Sequence, residues 1–208
     1  MANSNAPFGL RPYRYRNGAS WNGQVTPYYV RSDDATALFV GDPVDIIGES
    51  NQSEIFGFAP GTLSAVTRAT VGDVPGTGSY ITGVIVSVHP VTSDSLVYRA
   101  ASTERVVYVC DDPDVVFQVQ DDGGGALDYD TVGLNAVLIA GTGSAYTGRS
   151  GFMMDGGTTD APAADASNQL FILGLSNIVG NELGSDYAIW DVMINQHRYK
   201  PYSGLGVA

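Results

Sequence analysis

Short apolar runs, each interrupted by turn residues, repeat along most of the chain. Their β-branched and aromatic residues suit a pleated surface and therefore predict strands. The predicted strands are residues 24–31, 37–40, 44–47, 63–71, 79–88, 96–99, 106–110, 115–120, 170–175 and 188–195. No segment of 12 or more residues keeps a 3.6-residue period. The pattern predicts an all-β fold, an antiparallel β-barrel or sandwich that is jelly-roll-like or related.

Two stretches refine this prediction. Residues 132–140 are apolar over a length that suits either a strand or a short helix, so both remain open. Gly83 interrupts the long run 79–88, and a glycine inside a strand indicates a bulge or a close approach of backbone.

Composition divides the chain into three parts. Residues 1–31 are rich in Pro, Asn and Gly and predict an extended N-terminal arm. Residues 32–200 hold most of the predicted strands and form the all-β body. Residues 201–208 predict a short, Gly-rich C-terminal tail.

Charge follows the same division. The arm has no acidic residue, whereas all 22 acidic residues lie between positions 32 and 196, and the net charge is −12. The arm carries Arg11, Arg14, Arg16 and Arg31 together with Phe8, Tyr13, Tyr15, Trp21, Tyr28 and Tyr29. Segregated charge of this kind indicates binding partners rather than a fold. The acidic body opposes nucleic acid, because affinity for nucleic acid comes mainly from neutralised phosphates.

The aromatic residues of the arm predict that it docks on a surface. Disordered tails are normally poor in aromatics, and each ring contributes ~1.5–3 kcal/mol when it is fully buried. We expect Phe8, Tyr13 and Trp21 to be the anchors. Arg11, Arg14 and Arg16 are expected to pair with carboxylates of a partner, and Tyr15 lies in the same segment.

Residue usage also bears on compartment. Cys110 is the only cysteine, so no intramolecular disulfide can form, and its apolar run predicts a buried thiol. The first residues lack the pattern of a secretory signal peptide, and no stretch approaches the ~18 apolar residues of a membrane span. We expect synthesis in a cytoplasm and no membrane partner.

Candidate catalytic and metal-binding residues are sparse. His89 and His197 are the only histidines, which disfavours zinc, and no nucleophile-elbow motif is present. The acidic residues cluster in turn-like segments, where solvation is the default and calcium is the alternative. Calcium could use Asp111, Asp112 and Asp114, or Asp121, Asp122, Asp128 and Asp130. We predict no enzyme activity, no cofactor and no bound metal.

Several strings resemble a known group of proteins. They are NAPFGLRP (5–12), WNG (21–23), YY (28–29), TALFVGDPV (36–44), YRAAST (98–103), DDP (111–113), VGLN (132–135) and INQHRY (194–199). Together they resemble the structural cement, or capsid-decoration, proteins of tailed-bacteriophage heads. The resemblance implies a non-enzymatic virion protein that binds the major capsid protein on the outer surface of the head. It implies a homotrimer, with a homodimer as the alternative, and the segment 8–16 as the capsid contact.

Two other functions stay open. A carbohydrate-binding or host-adhesion module could use Tyr80, Tyr98, Tyr146 and Trp190 as stacking faces. A glycoside hydrolase or lyase would need two carboxylates held in a cleft. Our principal expectation is the capsid cement protein.

Overall fold

The computed structural model describes residues 3–72, 80–125 and 127–200. Within these residues the chain folds into 12 strands, and the only helical element is a 3-10 turn at Tyr129–Thr131. The strands are β1 (Arg11–Tyr15), β2 (Thr26–Val30), β3 (Pro43–Ser50), β4 (Ser64–Arg68), β5 (Gly83–Val88), β6 (Arg105–Cys110), β7 (Val115–Gln120), β8 (Asn135–Ala136), β9 (Leu138–Ile139), β10 (Met153–Met154), β11 (Leu170–Leu175) and β12 (Ile189–Ile194). The predicted all-β class is confirmed.

Five strands close into a barrel in the order β2-β4-β3-β5-β6. All pairs are antiparallel except β2 with β4, which run parallel. Period-two alternation explains the barrel core: in β6, Val107 and Val109 join the buried cluster with Ile85 of β5, whereas Val106 packs in a separate cluster. The barrel is therefore filled by side chains.

An open antiparallel sheet lies beside the barrel in the order β1-β7-β12-β11-β8. Strand β7 is buried at every position, which shows that both faces of this sheet are covered. Its Phe117 packs with Trp190 of β12 in the largest hydrophobic cluster, which also contains Val84 and Cys110 of the barrel. This cluster thus packs the sheet against barrel strands β5 and β6.

Gly83 lies where β5 approaches β6 closely. A Cβ at this position would lie 2.4 Å from the Cys110 carbonyl oxygen, so the predicted close approach of backbone is confirmed. Strand β5 begins at Gly83, and residue 79 of the predicted run lies outside the described residues.

The strands predicted at residues 37–40 and 96–99 are wrong. These segments share only a single bridge between Leu38 and Arg99. The reason is the Arg99 side chain, which is fully buried and donates to three backbone carbonyl oxygens that hold the two loops together. Those acceptors belong to Arg31, Thr36 and Thr103, so side-chain bonds replace a strand ladder here.

Other boundaries also differ from the sequence prediction. Residues 132–140 form two very short strands, β8 and β9, and not a helix. Strands β1 and β10 were not predicted. The predicted tail, residues 201–208, lies outside the described residues.

Candidate functional site

The N-terminal arm is anchored to the body at Gly9 and Leu10. Leu10 is only 2% exposed and belongs to the main core, and its backbone N–H donates to the Gly41 carbonyl oxygen at 3.0 Å. Gly9 has φ of 67°, and a Cβ on it would lie 2.5 Å from Ser150 Cβ. Only glycine fits this crossing, because a side chain meets both crowding and an unfavourable backbone conformation.

The arm continues from this anchor as an edge strand of the open sheet. Strand β1 pairs antiparallel with β7, with an irregularity between Pro12 and Arg14. Proline is tolerated at a sheet edge because its missing N–H costs no ladder bond there. Residues 11–15 therefore lie on the body of their own chain and do not extend away from it. The sequence suggested otherwise because the segment contains no β-branched residue.

A short ribbon completes the arm. The Tyr15 N–H donates to the Ala19 carbonyl at 2.8 Å, and Gly18 closes the turn. Trp21, a predicted anchor, and Tyr15 both pack against the main core, so these two rings contact their own body. Tyr13 differs, since it remains 48% exposed at the outer edge.

Most of the arm arginines also pair within the chain. Arg14 lies 3.5 Å from Asp191, and Arg16 lies 3.3 Å from Asp114. Arg31 pairs with Asp33 and Glu49, and its guanidinium holds the pKa of Asp33 below the usual range. The carboxylates that these arginines meet are therefore intramolecular, whereas the sequence analysis expected them on a partner.

Arg11 is the exception among the arm arginines. Its guanidinium donates to the Gln118 side-chain oxygen at 2.5 Å and lies 5.3 Å from the centre of the Phe8 ring. Within the described parts of the chain it forms no ion pair. Arg11 thus keeps an unneutralised positive charge at the surface of an acidic protein.

A cavity of about 290 Å³ lies between the arm and the barrel, and we call it the arm cavity. The arm contributes Phe8, Leu10, Arg11, Pro12 and Trp21, and the body contributes Val40, Gly41, Ile85, Val86 and Arg149. The two arginines are its exposed lining residues. The structure therefore brings three predicted site residues, Phe8, Arg11 and Trp21, to one place.

Buried titratable groups lie close to the arm cavity and at the end of the last strand. Asp42 follows the cavity residue Gly41, and burial raises its pKa to about 6, although the Phe39 N–H and Ser150 favour the charged form. His197 is buried beyond β12, and burial together with the Lys200 charge lowers its pKa to about 4.

The cluster around His197 is a second polar site. The His197 Nδ1 accepts from the Tyr199 N–H at 3.1 Å, and the Tyr199 hydroxyl lies 2.9 Å from that of Tyr28. Tyr28 also donates to Asp111 at 2.9 Å, and burial together with these bonds raises its pKa. These bonds join the C-terminal strand to the barrel, which is a structural role.

The acidic residues considered for calcium bond to their own chain. Asp121 accepts from the Trp190 indole N–H at 3.1 Å, and Asp122 accepts from the Gly156 N–H at 2.9 Å. Asp112 accepts from the Asp114 N–H at 2.8 Å. No group of three His, Cys, Asp or Glu residues able to hold a metal is found in the described ranges.

The rings considered for sugar stacking have separate environments. Trp190 is fully buried, which removes it as a stacking face. Tyr98 stacks on Phe39 with ring centres 4.8 Å apart, and the Arg198 guanidinium covers Tyr80 at 4.5 Å. Tyr146 is 95% exposed. Cys110 is buried as expected, and burial raises the pKa of its thiol to about 12.

Comparison with protein-family models, with curated proteins and with solved structures finds no match for this chain. No helix in the described residues has the length and apolar character needed to cross a membrane.

Sequence reasoning missed the body half of the arm cavity. Val40, Ile85 and Arg149 come together only through the barrel and the bridge between Val40 and Arg149. One available signal was Gly41 in the string TALFVGDPV, since a glycine beside apolar residues marks close approach of another backbone. Nothing in the sequence around Arg149 pointed to this role.

Proposed function

We propose that this chain is a capsid cement protein, a non-enzymatic virion component that binds the major capsid protein on the outer surface of a phage head. The observation that carries the proposal is the arm surface, where Arg11 and Tyr13 remain exposed beside the arm cavity. The strings that resemble those of phage cement proteins, spread from residue 5 to residue 199, support the same function.

The fold suits this role in physical terms. The arm is pre-organised on the body by Leu10 and β1, so contact with a partner need not order a disordered segment. Pre-organisation lowers the entropic cost of binding, so modest contacts suffice. Many copies on one head then act multivalently, because each attached copy raises the effective concentration of its own further contacts.

The burial of Leu10 in the main core decides which variants can test the proposal. Deleting the whole arm would remove Leu10 from the core and unfold the body, so point substitutions are required. Tyr13→Ser truncates a half-exposed ring, and Tyr129→Ser is the matched control because that ring is 73% exposed and precedes β8, at the opposite edge of the sheet from β1.

Purified protein is titrated onto undecorated heads, and bound copies are counted by sedimentation and gel densitometry. We expect Tyr13→Ser to weaken binding by about tenfold, because an aromatic anchor at an interface contributes on the order of 1–2 kcal/mol or more. Tyr129→Ser should bind as the natural chain does. Failure of the natural chain to bind heads, or equal binding of both variants, would contradict the proposal.

The proposal includes self-association as a homotrimer, with a homodimer as the alternative, because a bridging protein needs several contact surfaces. Native mass spectrometry of the purified chain measures this directly. A closed trimer or dimer is expected, and a strict monomer both in solution and on heads would contradict bridging through a homo-oligomer.

A further inference from the structure

The arm cavity combines apolar walls with two positive charges. Phe8 and Trp21 of the arm and Val86 of the barrel line it, and Arg11 and Arg149 are its exposed residues. A cavity lined only by apolar residues would indicate imperfect packing, and one lined only by polar residues would indicate a space filled by solvent. The combination is the chemistry of a recognition pocket.

The two arginines differ from the other arginines near the arm. Arg14 and Arg16 each meet a carboxylate of the body. Arg11 meets the neutral Gln118 side chain and the Phe8 ring, and the Arg149 guanidinium has no ion pair or hydrogen bond within the described part of the chain. In a chain of net charge −12, two unneutralised arginines at one cavity favour a negatively charged ligand.

The size of the cavity restricts the ligand further. Its volume of about 290 Å³ is at the lower limit of pockets that hold small molecules, ~300–1,000 Å³. One large apolar side chain fits such a space. Guanidinium groups bind carboxylates through paired hydrogen bonds, which specify direction as well as charge.

We propose that the arm cavity binds an acidic peptide segment of another polypeptide. An apolar side chain of that segment enters between Phe8 and Trp21, and carboxylates on either side of it pair with Arg11 and Arg149. This inference rests on the proposed function, since the partner in a virion would be an acidic segment of the capsid protein.

A phosphate-rich ligand is disfavoured by the rest of the molecule. Nucleic acid would bring many phosphates toward a body that carries 22 acidic residues. A peptide presents two or three carboxylates at the cavity and leaves the remainder of the body untouched. Charge complementarity is therefore local and suits a short segment.

The test uses the full chain and a fluorescein-labelled peptide, Gly-Glu-Asp-Phe-Asp-Glu-Gly. Two control peptides replace either the four acids with Gln and Asn or the Phe with Gly. Binding is measured by fluorescence anisotropy at low salt. We expect the acidic Phe peptide to bind at least about tenfold more tightly than either control, because charge and apolar contact both contribute.

Substitutions locate the site. Arg149→Gln removes an exposed guanidinium and should weaken the peptide by about tenfold, and Arg11→Gln should act similarly. Arg105→Gln is the control, because this arginine lies on barrel strand β6 and does not line the cavity. Unchanged binding in Arg149→Gln and Arg11→Gln, or equal binding of all three peptides, would overturn the inference.

Two further outcomes separate this inference from the proposed function. If heads bind the natural chain and Arg149→Gln equally, the inference about the arm cavity is wrong, and the proposed capsid binding still stands. If the peptide binds in a way that depends on Arg149 but the chain does not bind heads, the arm cavity is a peptide site and the proposed cement function is wrong. A labelled DNA oligonucleotide that displaces the peptide and binds more tightly would overturn the choice of a peptide ligand.

Discussion

The crossing of the arm over the barrel makes Gly9→Ala the most informative substitution. A Cβ at this position would lie 2.5 Å from Ser150 Cβ and 2.9 Å from the Gly41 carbonyl oxygen. The second neighbour is backbone and cannot rotate away, so the arm must lift or the barrel loop must move. Overpacking of this kind costs ~1–3 kcal/mol.

The backbone conformation adds a separate cost, which a control isolates. Gly9 and Gly18 both have positive φ, 67° and 89°, but a Cβ on Gly18 would meet nothing within 4 Å. Alanine in a left-handed conformation costs ~1–2 kcal/mol, and its stiffer unfolded chain returns ~0.4–1 kcal/mol. Gly9→Ala should therefore lower the free energy of unfolding by ~1–3 kcal/mol more than Gly18→Ala does.

Urea denaturation followed by tryptophan fluorescence measures the two free energies. Amide hydrogen exchange in β1 then shows where the loss occurs, because a lifted arm loses its ladder to β7. We expect faster exchange, in Gly9→Ala only, at Arg16, whose N–H donates to the carbonyl oxygen of Asp114, directly before β7. Equal free energies for the two variants would refute the close crossing as the anchor of the arm.

Three further substitutions test the buried charges, each by urea denaturation. Burial raises the pKa of Asp42 to about 6 in the folded state, against 3.8 in the unfolded state, so the natural chain loses stability as pH rises between these values. The free energy of unfolding of Asp42→Asn should therefore gain ~3 kcal/mol relative to the natural chain from pH 4 to pH 7. A difference that stays constant with pH would contradict this. His197 gives the opposite pH dependence, because its pKa is about 4 in the folded state against 6.5 in the unfolded state. The free energy of unfolding should therefore fall by ~3 kcal/mol as pH falls from 6.5 to 4, and His197→Gln should abolish that loss. The same pH dependence in both proteins would contradict this. Arg99→Met removes the guanidinium bonds to three carbonyl oxygens and should cost ~3–5 kcal/mol, whereas Arg105→Met should cost much less. Similar losses in the two variants would show that the buried network is not the cause.

Residue patterns predicted the fold class because most strands carry their own signal. The run from Arg105 to Cys110 alternates between the barrel interior and a second cluster, so its β-branched residues identify it without tertiary information. The β-branched and aromatic residues of β7 and β12 likewise identify those strands without tertiary information. Strand β1 carries no such signal, and its pairing is imposed by β7 and by the burial of Leu10.

The candidate site was predictable only in part. The arm residues stood out through charge and aromatic content, and three of them line the arm cavity. Their environment was not predictable, because Asp114 and Asp191 reach Arg16 and Arg14 through pairings distant in sequence. Arg149 illustrates the limit most clearly, since a lone arginine in a small, polar loop acquires a role only when the barrel brings it to the arm.

Photo-crosslinking on assembled heads tests the central claim that the arm surface contacts the capsid. A benzophenone amino acid replaces Tyr13 in one protein and Tyr129, near the opposite edge of the sheet, in another, since both side chains are exposed. Mass spectrometry then identifies the crosslinked partner. We predict crosslinks from position 13 to the major capsid protein and none from position 129; crosslinks from position 129 alone would contradict the account.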